Sequence, residues 1–140
     1  MMKTLLTIAT TLLLLASAAP ASAALVAGNN DLIWDANNTV NGVKLVAKYK
    51  ESPDNGLIDQ SLEVELNNAP PNTLVYIRAG AWDMGSMTTD AFGRAATRFD
   101  RFGVTPDPAG RPAGPRLETG DMIRVHRGVQ AIEAPLVPRP

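Results

Sequence analysis

Two short runs, "GVKLVAKYK" and "SLEVELN", change character at every second residue. In the first, Val43, Leu45, Ala47 and Tyr49 share one parity, and Lys44, Val46, Lys48 and Lys50 the other. In the second, Leu62, Val64 and Leu66 alternate with Glu63 and Glu65. A period of two sends successive side chains to opposite faces of an extended chain. Each run therefore reads as a strand with one buried face and one wet face. Between them, "ESPDNGLIDQ" carries Pro53 and the turn pair Asn55-Gly56, which predicts a hairpin with a loop somewhat longer than minimal. Lys44, Lys48 and Lys50 should then lie near Glu63 and Glu65 across the outer face, a solvated pattern rather than a binding site.

The same period recurs along the chain, broken by turn residues. "NNAPPNT" ends the second strand, because its two prolines cannot donate to a ladder. "LVYIR" resumes, a tight turn is predicted at Gly80, and "WDMGSMTT" returns. There the alternation slips between Met84 and Met87, and Gly85 predicts a bulge. "RAATRF" places Ala95, Thr97 and Phe99 on one face and Arg94 and Arg98 on the other. From Gly103 to Arg116, "GVTPDPAGRPAGPR" excludes a helix or a central strand and predicts a long surface loop joining two sheets. "DMIRVHR" and "GVQAIEA" read as later strands, and an edge strand is predicted around Leu32 to Trp34. No stretch has the period of an amphipathic helix. About seven short strands with frequent turns predict an all-β antiparallel sandwich, Ig-like or transthyretin-like. A small closed barrel is the other architecture this pattern admits. One domain is expected over 24–134, with a proline-rich tail over 135–140.

The N-terminus has its own logic. Lys3 precedes a mostly apolar run from Leu5 to Ala19, and Ala21-Ser22-Ala23 is a small-x-small site. Residues 1–23 are therefore expected to be a secretory signal peptide cleaved after Ala23. The apolar run is shorter than the roughly 20 residues of a spanning helix, so no stable membrane insertion is expected. Of 13 basic and 14 acidic residues, cleavage removes only Lys3, leaving a net charge of −2. That balance argues against a nucleic-acid partner. The expected location is secreted or periplasmic. The chain has no cysteine, which excludes disulfides and thiolate metal sites, so the domain must rest on core burial and backbone pairing.

The most patterned stretch is "TTDAFGRAA". Asp suits the first position of a type I turn and Gly the fourth, where positive φ lets two strands pair. Asp90 and Gly93 are thus expected to be structural turn residues. In the competing reading, Asp90 is a ligand or base and Phe92 a contact residue. Trp82 is expected to pack in the core; the alternative is a possible contact surface formed by Trp82 and Phe92 together, since exposed aromatics suit sugar or protein recognition. Catalytic patterns are sparse. His126 is the lone histidine and is expected on the surface, which excludes His-cluster zinc sites. Ser52, Ser61 and Ser86 lack a nucleophile-elbow context. Glu63 and Glu65 share a strand face at glycosidase-like spacing, but nothing on a wet strand raises a pKa. Asp54, Asn55 and Asp59 offer oxygen ligands, yet their spacing is not that of a calcium loop. No catalytic residue, cofactor or metal is expected.

Ser61 to Phe99, "SLEVELNNAPPNTLVYIRAGAWDMGSMTTDAFGRAATRF", resembles a small exported β-sandwich domain of planctomycete-type bacterial proteins. The resemblance rests on Leu62 to Leu66, Ala69 to Pro71 with Thr73, Gly80, Gly85, Thr89-Asp90, Gly93 to Ala95, and Gly120-Asp121. Its turn also resembles those of transthyretin-like and carboxypeptidase-regulatory-like sandwiches. Trp82, Met87 and the long Pro/Gly loop depart from the pattern. The resemblance implies a fold and an exported location, and no activity. The function expected is a non-enzymatic accessory or interaction protein with a protein or carbohydrate partner. A carbohydrate- or calcium-dependent binding module is the alternative, and a small hydrolase ranks behind both.

Overall fold

A computed structural model describes residues 31–112 and 116–140, so the expected signal peptide lies outside the described residues. The described chain is all-β. Nine strands form two antiparallel sheets: β1 (Leu32–Val40), β2 (Val43–Asp54), β3 (Leu57–Asn67), β4 (Leu74–Ala79), β5 (Trp82–Thr88), β6 (Ala95–Val104), β7 (Met122–Arg127), β8 (Gln130–Pro135) and β9 (Val137–Pro138). One sheet runs β6-β3-β2-β1-β9 and the other β5-β4-β7-β8. The fold is a sandwich, not a closed barrel. Among the described residues no helix is long and apolar enough to cross a membrane.

The alternation works as physical chemistry requires. Leu45, Ala47 and Tyr49 of β2 and Leu62, Val64 and Leu66 of β3 are buried. They meet Val75, Ile77 and Ala79 of β4 and Ile123 and Val125 of β7 in one core. Trp34 lies inside, its ring 5.4 Å from Tyr49 and its indole N–H donated to Thr119 Oγ1 at 3.0 Å. On the outer face Lys48 pairs with Glu63 at 3.5 Å, and Glu63 also accepts from Arg98 at 3.1 Å. Lys50 pairs instead with Asp31 at 2.7 Å. Exposed pairs of this kind each contribute at most about 1 kcal/mol.

Four expectations need correction. The β2–β3 loop is minimal: Asp54 pairs with Leu57 around Asn55-Gly56, both at positive φ, as a two-residue primed turn requires. Pro53 does not end β2, because the strand runs past the end of β1, whose last partner is Glu51, and no neighbour there needs its missing N–H. The first strand is not confined to Leu32–Trp34; it extends to Val40 and turns back through Asn41-Gly42. The last residues are not a loose tail: Leu136 is buried, β9 pairs with β1, and Arg139 forks onto Asp35 at 2.6 and 2.7 Å.

The Gly103–Arg116 segment does join the sheets, and it carries local order. Val104 still belongs to β6, and Pro106 bridges to Pro112. Between them Asp107 Oδ1 accepts from the N–H of Ala109 and of Arg111, both at 2.9 Å. The register of β4 and β5 shifts beside Gly85, where the slipped alternation predicts a bulge.

Candidate functional site

"TTDAFGRAA" forms one half of a clasp. Asp90 Oδ1 accepts from Phe92 N–H at 2.8 Å and Arg94 N–H at 2.9 Å. Gly93 N–H closes the turn onto the Asp90 carbonyl at 3.1 Å. These backbone donors hold the Asp90 carboxyl below the usual range. The other half is the β3–β4 crossing. Ala69 N–H donates to the Gly93 carbonyl at 3.0 Å, and Asn72 N–H to the Asp90 carbonyl at 3.1 Å. Buried Thr89 donates from Oγ1 to the Pro70 carbonyl at 2.6 Å and accepts from Thr73 N–H at 2.8 Å. The "APPNT" and "TDAFGR" motifs are thus one physical unit tying two sheet crossings together. Asp107 to Arg111 repeats its Asp-x-x-Gly-Arg turn, down to Asp107 N–H on the Arg111 carbonyl.

Trp82 and Phe92 do not share a surface. Trp82 opens β5, while Phe92 follows the other end of that strand, roughly 20 Å away at about 3.3 Å per residue. Phe92 is 81 % exposed. Trp82 is 44 % exposed and so is not a core residue; its indole lies at the flank where the two sheets part, and the buried tryptophan is Trp34.

That flank holds a cleft of about 230 Å³. Trp82, Asp83 and Met84 of β5 form one lip, and Phe99 and Arg101 of β6 form the other. Beneath them lies a polar cluster hidden by the loop reading of "ESPDNGLIDQ". Because β2 continues, the inward parity of Leu45, Ala47 and Tyr49 extends to Glu51, which is completely buried. On β3 the same parity buries Gln60 beside Leu62. The Tyr49 hydroxyl donates to Glu51 Oε1 at 2.7 Å and accepts from Gln60 Nε2 at 2.8 Å. Arg116 Nε donates to the same Glu51 oxygen at 3.0 Å, and Arg101 donates to Gln60 Oε1 at 3.1 Å.

Burial raises the Glu51 carboxyl above the usual range, against the opposing pull of Tyr49 and Arg116. Burial likewise raises Tyr49, helped by the Glu51 charge. The Arg116 side chain is only 8 % exposed, and its two terminal nitrogens make no hydrogen bond among the described residues. The Glu118 carboxylate lies 3.7 Å from one of them.

The remaining candidates are dispersed. His126 tilts against Tyr76, ring centres 5.8 Å apart, on the outer face of the second sheet. Asp59 accepts from Gly103 N–H at 2.8 Å and pins a bulge in β6, while Asp54 flanks the hairpin turn. Among the described residues no three His, Cys, Asp or Glu side chains gather as a metal site would require. Glu65 accepts from Asn67 rather than facing Glu63 across a cleft. No protein-family model and no curated protein matches the chain.

Proposed function

We propose that this chain is an exported, non-enzymatic β-sandwich module that acts by binding a partner, and that it binds through the flank where β5 and β6 part. One observation carries the reading. Trp82, Met84 and Phe99 line the cleft there, with the Trp82 ring 44 % exposed at its mouth. Half-exposed aromatic and methionine side chains at the mouth of a recess are the usual anchors of recognition. The cleft offers poor material for hydrolysis. Ser61 lines it, but His126 sits on the outer face of the second sheet, turned away from the cleft, and Glu51 Oε1 beneath is taken by Tyr49 and Arg116. Export is supported by the Lys3, Leu5–Ala19 and Ala21-Ser22-Ala23 pattern and by the resemblance of Ser61–Phe99 to exported bacterial sandwiches.

A protein partner is the first reading. A carbohydrate is the second, favoured by Asp83 and Arg101 beside the Trp82 indole, since a flat face flanked by polar side chains suits a sugar ring. The test compares the parent and Trp82→Ala, both checked for folding by circular dichroism, on two immobilised panels, soluble-type oligosaccharides and extended peptides. The expected result is retention of members of one panel by the parent and their loss in the variant. Silence on both panels, or binding indifferent to Trp82, overturns the proposal.

A further inference from the structure

β6 leaves one backbone edge open at the rim of its sheet. β6 is the outermost strand of its sheet, bonded on one side only, to β3. Its partners run without interruption from Leu66–Ala95 to Gln60–Arg101, and the bulge lies beyond, between Gln60 and Ile58. Open edges of this kind are templates for another strand, and proteins ordinarily blunt them with proline, bulges, short length or charged side chains. The other three edges are blunted: β9 has two residues, β5 is broken beside Gly85, and β8 ends in Pro135. Ala95 to Arg101 has neither proline nor bulge and is guarded only by the charges of Arg98, Asp100 and Arg101, which admit a strand whose charges match them.

The orientation of the free backbone groups follows from the hairpin. A two-residue turn makes Asp54 and Leu57 a hydrogen-bonded pair, and bonded pairs alternate along antiparallel strands. Counting from there, Leu62 turns its N–H and C=O toward β6 and bonds with Phe99. The N–H and C=O of Arg98 and Asp100 therefore point away from the sheet.

One register sets both Arg98 and Asp100 against opposite charges. Placed antiparallel with Phe99 opposite its own copy, Arg98 of each chain faces Asp100 of the other, Ala96 faces Phe102, and Thr97 faces Arg101. Arg98 and Asp100 already lie on the outer face, 2.8 Å apart within one chain, with Arg98 also on Glu63. Centring on Arg98 or on Asp100 instead sets like charges against each other, which is destabilising. We infer that two copies of this chain pair through β6 about Phe99, extending the outer-face ladder Lys48–Glu63–Arg98 to Asp100 of the second copy. The inference goes beyond the binding reading of this flank: it sets a second copy along β6 and leaves the cleft its own partner. Because Phe99 also lines the cleft, the two clefts adjoin across the axis.

Sedimentation velocity on the parent, at concentrations up to on the order of 1 mM, the weak end of useful affinity, should show twice the chain mass. Arg98→Asp alone and Asp100→Arg alone should each run at half that mass while keeping the parent's circular dichroism. Mixed in equal amounts, the two variants should regain the doubled mass. The first variant is acidic at both positions and the second basic at both, so each facing pair then joins opposite charges. A folded variant that stays monomeric after mixing, or a parent that is monomeric throughout, overturns self-pairing. Neither result touches Trp82-dependent retention on the panels, so the failure of this inference and of the binding reading are distinguishable.

Discussion

Gly93→Ala should cost far more stability than the same change at an exposed turn glycine such as Gly56. Gly93 sits at φ +74°, a region that costs a non-glycine residue roughly 1–2 kcal/mol. Its missing side chain also faces the β3–β4 crossing. A Cβ there would overlap the Ala69 carbonyl oxygen and come within 3.0 Å of the Ala69 carbonyl carbon and 3.1 Å of its amide nitrogen. These are backbone atoms, so relief requires moving the crossing and breaking the 3.0 Å bond from Ala69 N–H to Gly93. That bond contributes roughly 0.5–1.5 kcal/mol, and leaving its groups unsatisfied costs about as much again or more. The expected total is about 3–5 kcal/mol, a large part of the roughly 5–15 kcal/mol that holds such a domain. Gly56→Ala is the control: φ is +81°, and nothing lies within 4 Å of the added methyl. It should lose only the roughly 1–2 kcal/mol of backbone strain. Urea unfolding separates the two, since at a slope of about 2 kcal/mol per molar a gap of roughly 1–4 kcal/mol sets the midpoints about 0.5–2 M apart. Equal midpoints would refute the close approach of Ala69 and with it the clasp.

Two further predictions concern pH. Backbone donors depress the carboxyl pKa of Asp90 and Asp107, so each contributes stability that is present above its ordinary value of 3.8 and is lost as pH falls through the depressed one. The double variant Asp90→Asn, Asp107→Asn should therefore lower the thermal midpoint at pH 7, converge with the parent below about pH 4, and so show a flatter acid limb. An unchanged acid limb would show that these carboxyls titrate as they do in the unfolded chain. Glu51 has the opposite sign. Its pKa is raised, so the stability linked to its protonation is present below the ordinary 4.5 and lost as pH rises through the folded value. Arg116→Met strands this buried carboxylate and should cost about 3–5 kcal/mol at neutral pH. Protonation should shrink the deficit near pH 4, read as the parent-minus-variant difference in urea midpoint, and a deficit that grows on acidification would contradict the buried pair.

What could be read in advance follows period and turn chemistry. Leu45, Ala47, Tyr49, Leu62, Val64 and Leu66 are buried because a two-residue period has one inner face, and side-chain parity needs no knowledge of topology. The same parity, carried two residues past Tyr49, would have found Glu51. Pro53 obscured it, since a proline reads as a break unless the neighbouring strand is known to have ended. The first strand was hidden by Asn37, Asn38 and Thr39, polar residues on an exposed strand end, although Asn41-Gly42 is as strong a hairpin signal as Asn55-Gly56. Arg116 could not have been assigned to Glu51, which lies 65 residues away in sequence across a proline-rich connection. Trp82 is expected in the core and lies outside it for one reason. Burial of a large ring at a strand end depends on which strand covers it, and Trp82 begins an edge strand while Trp34 is flanked by β2 and β9.

The binding flank is the central claim, and amide chemical-shift mapping tests it most directly. Isotope-labelled parent would be titrated with an oligosaccharide or extended peptide retained on the panels. The perturbed amides should cluster in Trp82–Met84 and Phe99–Phe102, with the Trp82 indole N–H among the largest shifts. A cluster instead around Val129 at the opposite end of the sandwich, or on the Tyr76–His126 face, would contradict the account.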